Sequence, residues 1–423
     1  MKFCVLKEKE YDNFARKNPL ISIYQMVNWG ELKRTNGWIP HYIGVKEGNK
    51  IIAGTLLLEK QTPIKKSLFY APRGFLLDFN NHKLLSYFTK KTKEYLKNNK
   101  GFMLKIDPNW IYQIRDNNGL EINKKDDKTI NYLKHLGFKH LGFNKEFENM
   151  QPRFLCRFKL QDTYNKTLNT FYKSTVRNIE IADEKSVVVR EGKEEDYNIV
   201  MKLLDETASR KNFALRTSDY YKEMFKLFNN ESKIFIASID TRSYLNNIEN
   251  EWVEARKDKE CIENKMKREI VGKSLKKQLE LAENKLKRIN QEIKIAKSFA
   301  KESDYIDIGA LFSTFIGNEG ITFMSGINDN YRKFNPKYAM YNAHIKESLK
   351  RKLEYVNFYG ISGIFDKCSK NYGIYELKKG FNTEVIELIG EFDLIINKFD
   401  YIIYKIALKF YTDTKKIKNK LAK

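Results

Sequence analysis

The 423-residue chain carries 78 Lys and Arg against 54 Asp and Glu, a net charge of +24, with 42% hydrophobic and 13% aromatic residues. That apolar content excludes a disordered chain and provides for two or three domains with a sizeable core. The lack of any run near 18 apolar residues, and of an apolar stretch at the start, predicts neither a membrane span nor a signal peptide.

The charge points to a polyanionic partner, which could be nucleic acid, a phosphorylated substrate or an anionic lipid surface. The plain alternative is a Lys-rich composition with solvated lysines. No aromatic RNP motif is evident. Cys4, Cys156, Cys261 and Cys368 lie far apart with no Cys-x-x-Cys, and none of the five histidines forms His-x-x-x-His. Reduced thiols, no metal site, no histidine triad and no cofactor are expected.

In chain order, residues 1–150 read as mixed α/β. Tyr42–Lys46 and Lys50–Leu58 are predicted strands around a Glu47-Gly48-Asn49 turn. Leu84–Asn99 has helical character, Phe102–Pro108 reads as a buried strand ended by its proline, and Asn131–Leu136 as a short helix closed by Gly137. The order then starts again, with a strand at Arg153–Leu160, a basic helix at Leu168–Asp183 and a strand at Val187–Arg190. Helices follow at Glu195–Ala208 and Ser218–Phe228, then a strand at Ile234–Ile239. Past residue 300, strands are predicted at Asp307–Phe315, Gly320–Ser325 and Val356–Tyr359, with a helix at Ala339–Lys352. One α/β plan is used twice, repeated in elements and not in visible sequence identity.

Two apolar strings at heptad spacing interrupt the second copy. One reads Leu245, Ile248, Trp252, Ala255, Ile262 and Met266, with Lys259 filling one slot; the other runs Leu275, Leu279, Ala282, Leu286, Ile289, Ile293, Ala296 and Ala300. Val271-Gly272-Lys273-Ser274 supplies a helix stop, a turn and an N-cap. The spacing predicts an antiparallel coiled-coil hairpin about 40 Å long, with a self-contained seam. The expected division is a first domain at 1–150, a second at 151–241 with 302–423, and an inserted arm at 242–301. The C-terminal segment is allowed to pack back on the first domain. No amphipathic membrane anchor stands out.

The last third holds the sharpest chemical signal. Tyr355–Gly363 is a strand ending in Gly-x-Ser-Gly, which would present backbone N–H groups to an anion or oxyanion. The Lys378-Lys379-Gly380 turn would bring an ammonium nearby.

These residues, with Gly373–Asn382 and Glu391-Phe392-Asp393, resemble the FemABX family of tRNA-dependent aminoacyltransferases that build peptidoglycan cross-bridges. Within it the likeness is to the staphylococcal branch, which also carries a helical arm. The likeness extends to Tyr24–Trp29, Glu31-Leu32-Lys33, Gly37-Trp38, Phe69–Gly74 with Asp78, Leu104–Pro108, Gln151–Phe154 and Phe334–Tyr338. Phe75 stands where the family usually has proline, and Leu377 where it has an aromatic.

The resemblance implies an α/β (α+β) chain of two acetyltransferase-like (GNAT) domains in tandem, facing across a groove, with an inserted antiparallel coiled-coil hairpin. It implies transfer of an aminoacyl group from aminoacyl-tRNA to the stem-peptide amine of a peptidoglycan precursor, either lipid II or its UDP-linked muropeptide form. An aminoacyl ester is already activated, so no metal, nucleophilic serine or cofactor is needed. Peripheral contact with the inner membrane face would accompany a lipid-linked substrate.

Residue by residue, the resemblance implies a catalytic Lys378. Lys33 and Arg210, with Lys211 as the alternative, would hold precursor phosphates. Tyr70, Arg73 and Asp78 would line the groove, with Tyr220 and Tyr221 near it, and Tyr359 and Gly360 belong to the substrate-binding strand. The structural alternatives are a solvated turn lysine at Lys378, a turn arginine at Arg73 and a helix cap at Asp78. The arm would either contact tRNA or act as a scaffold. Two rival functions remain. A non-catalytic tRNA or precursor binder is one, and an acyl-CoA N-acetyltransferase is the other. The pyrophosphate loop needed for CoA is matched only by Arg34–Ile39, which fails at its last position.

Overall fold

The computed structural model describes residues 1–63, 65–148, 150–211, 214–268 and 272–421, with side chains to residue 410 in the last helix. Val271 of the predicted arm turn, and Asn212 and Phe213 beside Arg210, lie outside the described residues.

The first half runs β1 (Lys2–Val5), α1 (Glu8–Ala15), α2 (Val27–Arg34), β2 (Ile39–Glu47), β3 (Lys50–Gln61), β4 (Ser67–Ala71) and α3 (His82–Asn98). It continues through β5 (Gly101–Ile106), β6 (Ile111–Arg115), α4 (Asp127–His135) and β7 (Phe138–His140). The second half begins with β8 (Phe154–Lys159), α5 (Tyr164–Leu168), α6 (Lys173–Glu184), β9 (Val187–Gly192), α7 (Tyr197–Lys211), α8 (Ser218–Leu227) and β10 (Ser232–Asp240). The arm helices α9 (Thr241–Arg268) and α10 (Lys273–Glu302) follow, then β11 (Tyr305–Ile316), β12 (Glu319–Ile327), α11 (Pro336–Lys350) and β13 (Tyr355–Ile361). The chain closes with α12 (Tyr372–Lys379), β14 (Glu384–Leu388), β15 (Phe392–Ile395) and α13 (Lys398–Leu421).

One sheet has the order β1-β2-β3-β4-β5-β15-β7, and the other, read from its far edge, β9-β10-β11-β12-β13-β8-β14-β6. Each runs antiparallel strands into one parallel pair, β4 with β5 and β12 with β13. A helix makes each crossover, α3 in the first and α11 in the second. The helix pair α1–α2 lies between β1 and β2 as α7–α8 lies between β9 and β10. The fold is two acetyltransferase-like units in tandem. The arm occupies the β10–β11 connection, where the first unit has only the Gly48-Asn49 turn between β2 and β3.

The two sheets exchange strands. β6, from the first half of the chain, pairs with β14 in the second sheet, and β15 returns to pair with β5 and β7 in the first. Only Ile389, Gly390 and Glu391 separate β14 from β15, so one short segment stitches both sheets together. A core that includes Trp29, Leu56, Met224, Phe225 and Phe312 draws on both halves. The first sheet also packs Phe75, Phe88 and Leu104, and the second packs Phe158, Phe334, Phe358 and Phe381.

The helix predicted at 168–183 starts only at Lys173, because residues 169–172 break away between α5 and α6. Phe171 turns inward between the rings of Phe158 (5.3 Å) and Phe381 (5.1 Å). The N–H of Tyr172 is taken by the Gly380 carbonyl at 2.9 Å. A tertiary contact interrupts the helix there.

In the arm, Ala255, Ile289 and Ala296 are buried and the other seam residues are half-buried, while the charged neighbours are mostly exposed. Lys259, in the seam's polar slot, bonds Glu263 and Glu283, each at 3.3 Å. The seam is not self-contained at its root. Tyr244 and Ala296 belong to the second-half core, with Leu245, Ile248 and Phe299 packed against it. Tyr244 also donates to Glu292 at 2.6 Å, and Glu292 accepts from Lys333 at 2.9 Å. A variant lacking residues 254–288, bridged by glycines, is therefore expected to keep the thermal melt of the body. One lacking residues 246–298 should melt lower, having lost buried apolar groups worth about 2–5 kcal/mol each. Equal melting temperatures would contradict the root contacts.

Candidate functional site

Between the two sheets lies a cavity of about 430 Å³. Tyr24, Arg73 and Trp110 line it from the first half, and Arg157, Phe323 and Tyr359 from the second. Tyr24 and Tyr359 join the two walls through their hydroxyls, 2.5 Å apart. Tyr359 donates onward to the side-chain carbonyl of Gln151 at 3.0 Å, so Tyr24 is the donor between the two phenols. Burial raises the pKa of both.

Tyr359 has φ 63° at a β13 irregularity, where pairing with β8 shifts between Asn357 and Gly360. Gly360 is required beside it, because a Cβ there would lie 2.5 Å from Pro152. Arg73, at φ 56°, is fixed by its backbone N–H to Asp107 (2.8 Å) and its guanidinium to the Pro152 carbonyl (2.6 Å). Tyr70 donates to the other Asp107 oxygen at 3.1 Å. The fully buried Gln25 braces this loop by donating to the Pro72 carbonyl at 2.7 Å.

Two cationic corners flank the cavity without lining it. At one, Lys33 on α2 donates to the Tyr220 hydroxyl at 2.9 Å. It sits 4.5 Å from the Trp29 ring centre and 5.1 Å from that of Tyr220. Burial, then the charge of Arg216, lowers its pKa to about 8. Trp29 packs edge-on against Tyr24, which connects this corner to the cavity.

At the other corner, Tyr375 and Lys378 share the inner face of α12, while Lys379 points outward to Asn118. A Cβ on Gly380 would lie 2.2 Å from the Thr175 hydroxyl, so α12 and α6 approach closely there. Lys378 is buried and donates to the Gly360 carbonyl at 2.7 Å. Burial lowers its pKa to about 8; Cys156 opposes the shift and Lys337 adds to it. Lys337 has no hydrogen bond or ion pair among the described residues. Burial and the charges of Lys211, Arg210 and Arg332 hold its pKa at about 8.

The structure thus groups the sequence-predicted residues into three sets, Lys33 with Tyr220, Tyr70 with Arg73, and Lys378 with Arg210 and Lys211 through Lys337. Tyr359 and Gly360 link the sets. Tyr221 is a core residue whose hydroxyl accepts the Arg216 N–H at 3.4 Å. Arg210 pairs with Asp329 at 2.7 Å, and the cation facing Lys33 is Arg216. Asp78 is exposed and accepts the Asn80 N–H at 2.9 Å, whereas Asn81 caps α3. The Gly363 N–H at the Gly-x-Ser-Gly end is committed to the Lys145 carbonyl, and the N–H of Ile364, the next residue, to the Ser362 hydroxyl. They form no anion cradle. Lys378 belongs to a helix, not a turn. Arg34–Ile39 runs off the end of α2 toward β2, away from the parallel strand pairs. Sequence reasoning missed Lys337, Arg216, Gln25, Asp107 and Gln151.

The FemAB family model matches residues 6–409. The chain belongs to the FemAB family. It is 30% identical to aminoacyltransferase FemA of Staphylococcus epidermidis, covering 97% of this chain and 99% of that one. It is 28% identical to FemA of Staphylococcus aureus across the full length of both. The crystal structure of FemX, 24% identical, superposes with a TM-score of 0.76 over 95% of this chain and 99% of that one, and shares the fold. This FemAB-family chain is an aminoacyltransferase.

In this enzyme Asp107 holds the Arg73 loop at an electrostatic cost. Burial, only partly offset by Arg73, raises its pKa from 3.8 to about 6. The folded state therefore binds the Asp107 proton more tightly than the unfolded state, and its contribution to stability falls as pH rises from 4 to 7. The unfolding free energy of wild type relative to Asp107→Asn should drop by about 2 kcal/mol across that window in urea titrations. A pH-independent difference would contradict the assignment.

Proposed function

We propose that this aminoacyltransferase moves an aminoacyl group from aminoacyl-tRNA onto the stem-peptide amine of a peptidoglycan precursor, lipid II or the UDP-linked muropeptide, and so extends the interpeptide bridge. The observation that carries the reading is the buried Lys378 ammonium, one residue from the Tyr359 wall of a cavity shared by both sheets. In this reading residues 1–150 form the first acetyltransferase-like domain, 151–241 with 302–423 the second, and 242–301 the arm, with β6 and β15 exchanged between the two. Peripheral contact with the inner membrane face belongs to the same proposal.

The chemistry asks little beyond alignment and charge. The neutral stem amine attacks the ester carbonyl, and a tetrahedral oxyanion forms. The C–O bond to the terminal ribose breaks, and the amine proton ends on the ribose oxygen. Lys378, with Lys337 behind it, offers positive charge to the oxyanion and to the departing ribose in a setting from which water is largely excluded. Lys33 and Arg216, both close to the Tyr220 ring, suit the pyrophosphate of the precursor. Arg73 and Tyr70, locked by Asp107, suit the groove that receives the stem peptide.

Lys378→Met is expected to lower kcat by about 100-fold or more while precursor affinity stays within about twofold. Because it removes a desolvated ammonium, it should not lower the melting temperature. Unchanged kcat would remove Lys378 from its role. Lys33→Ala should instead weaken precursor binding by roughly tenfold or more with kcat little changed. A pure kcat defect would contradict the phosphate assignment.

A further inference from the structure

Among its described side chains, the C-terminal helix α13 meets the body through Tyr401 and Tyr404. Tyr401 donates to Asp393 at 2.9 Å, and the Tyr404 ring packs 5.4 Å from that of Phe102. Lys405 lies 3.8 Å from the same Asp393 carboxylate. Beyond Tyr404 every residue through Phe410 is exposed.

Away from the body the helix carries an apolar stripe. Phe399, Ile402, Ile403, Ile406 and Phe410 fall at i, i+3, i+4, i+7 and i+11, and are between 36% and 72% exposed. The sequence repeats the spacing at Ile417 and Leu421. At 100° per residue, Lys398, Lys405 and Lys409 fall along one edge of that stripe, and the sequence continues that spacing at Lys416 and Lys420. From residue 398 onward there are eight lysines against two aspartates.

An apolar stripe edged by lysines is the pattern of a helix that lies in a membrane interface, with side-chain hydrocarbon below the headgroups and ammonium groups among anionic phosphates. No described helix is long and apolar enough to cross a membrane. We propose that α13 docks the enzyme on the surface of an anionic phospholipid bilayer, with Phe399, Ile402, Ile403 and Ile406 as the inserting face. The charge favours this occupant over a second copy of the chain, because pairing two such helices would set lysine edge near lysine edge.

The placement suits the site. Met103 and Lys105 share one face of β5, and Asp107 follows directly on the strand's end. α13 packs at Met103 and at Asp393, which pairs with Lys105. Asp107 holds Tyr70 and Arg73. A chain seated by α13 would hold the first sheet, which carries the Arg73 loop, over the bilayer. The proposal deepens the peripheral membrane contact named above and rests on that reading for its purpose, but its test reads vesicle binding and not transfer.

Full-length protein would be co-sedimented with vesicles of phosphatidylcholine alone and of phosphatidylcholine mixed with phosphatidylglycerol. The expected result is binding to the anionic vesicles only, weakened at least about tenfold by Ile402→Glu with Ile406→Glu. The double variant should keep its melting temperature, since both side chains are exposed. Transfer to a soluble nucleotide-linked acceptor should also survive, which separates failure of docking from failure of the enzymatic reading. No binding to anionic vesicles, or equal binding by the variant, would overturn the proposal. So would a concentration-dependent dimer abolished by the same substitutions, which would make the stripe a self-association face.

Discussion

The structure depends on one segment, residues 384–395, which belongs to both sheets. β14 completes the second sheet against β8 and β6, and β15 completes the first against β5 and β7. Its anchor is Glu387, buried and paired with Arg153 and with Arg115, whose Nε lies 2.9 Å away. Arg153 also donates to the Leu388 carbonyl at 3.1 Å and to the Asn144 carbonyl at 2.9 Å. A buried guanidinium and carboxylate gain little over an apolar pair, but losing one partner strands the other at a cost of about 3–5 kcal/mol. The pair therefore acts as a register pin. It fixes where one sheet ends and the other begins, and so sets the spacing of Arg73 from Tyr359 across the cavity.

Within that frame the positive charges are held in an uncomfortable state. Lys33, Lys337 and Lys378 all have pKa values pulled down to about 8, chiefly by burial. The preorganisation has a physical use. A cation already stripped of water and fixed against a carbonyl or an aromatic face gains more from an arriving anion than a solvated lysine does, and needs little rearrangement to meet it. The two corners are separate, one beside Trp29 and Tyr220 and one behind Gly360. The Tyr24–Tyr359 contact connects them, as the proposed reaction between two polyanionic substrates requires.

Much of this was legible in the sequence, and the misses have physical causes. Heptad spacing located the arm, because a coiled coil is a local pattern; its root was hidden because Tyr244 and Ala296 find their partners in a distant core. Strands that alternate or run apolar were found, whereas β6, β14 and β15 are short and defined by partners across the sheets. The helix break at Phe171 is a tertiary effect that no propensity foreshadows. Lys337, Gln25, Asp107 and Gln151 all sit inside blocks noted for family likeness, but each acquires its role only from burial and from a neighbour far away in sequence. The Gly-x-Ser-Gly segment misled for the same reason, since its last N–H, that of Gly363, is taken by the Lys145 carbonyl from a distant loop. The stripe on α13 could be read only once the structure showed which side faces the body.

The central claim is that two fused sheets bring an activated ester and an amine together beside Lys378. Its most direct measurement is product mass in a transfer reaction containing the purified protein, total tRNA charged with mixed labelled amino acids, and lipid II or the UDP-linked muropeptide. The account predicts a gain of one aminoacyl residue on one of these acceptors, dependent on charged tRNA. Binding of both substrates with no mass gain on either acceptor would contradict it.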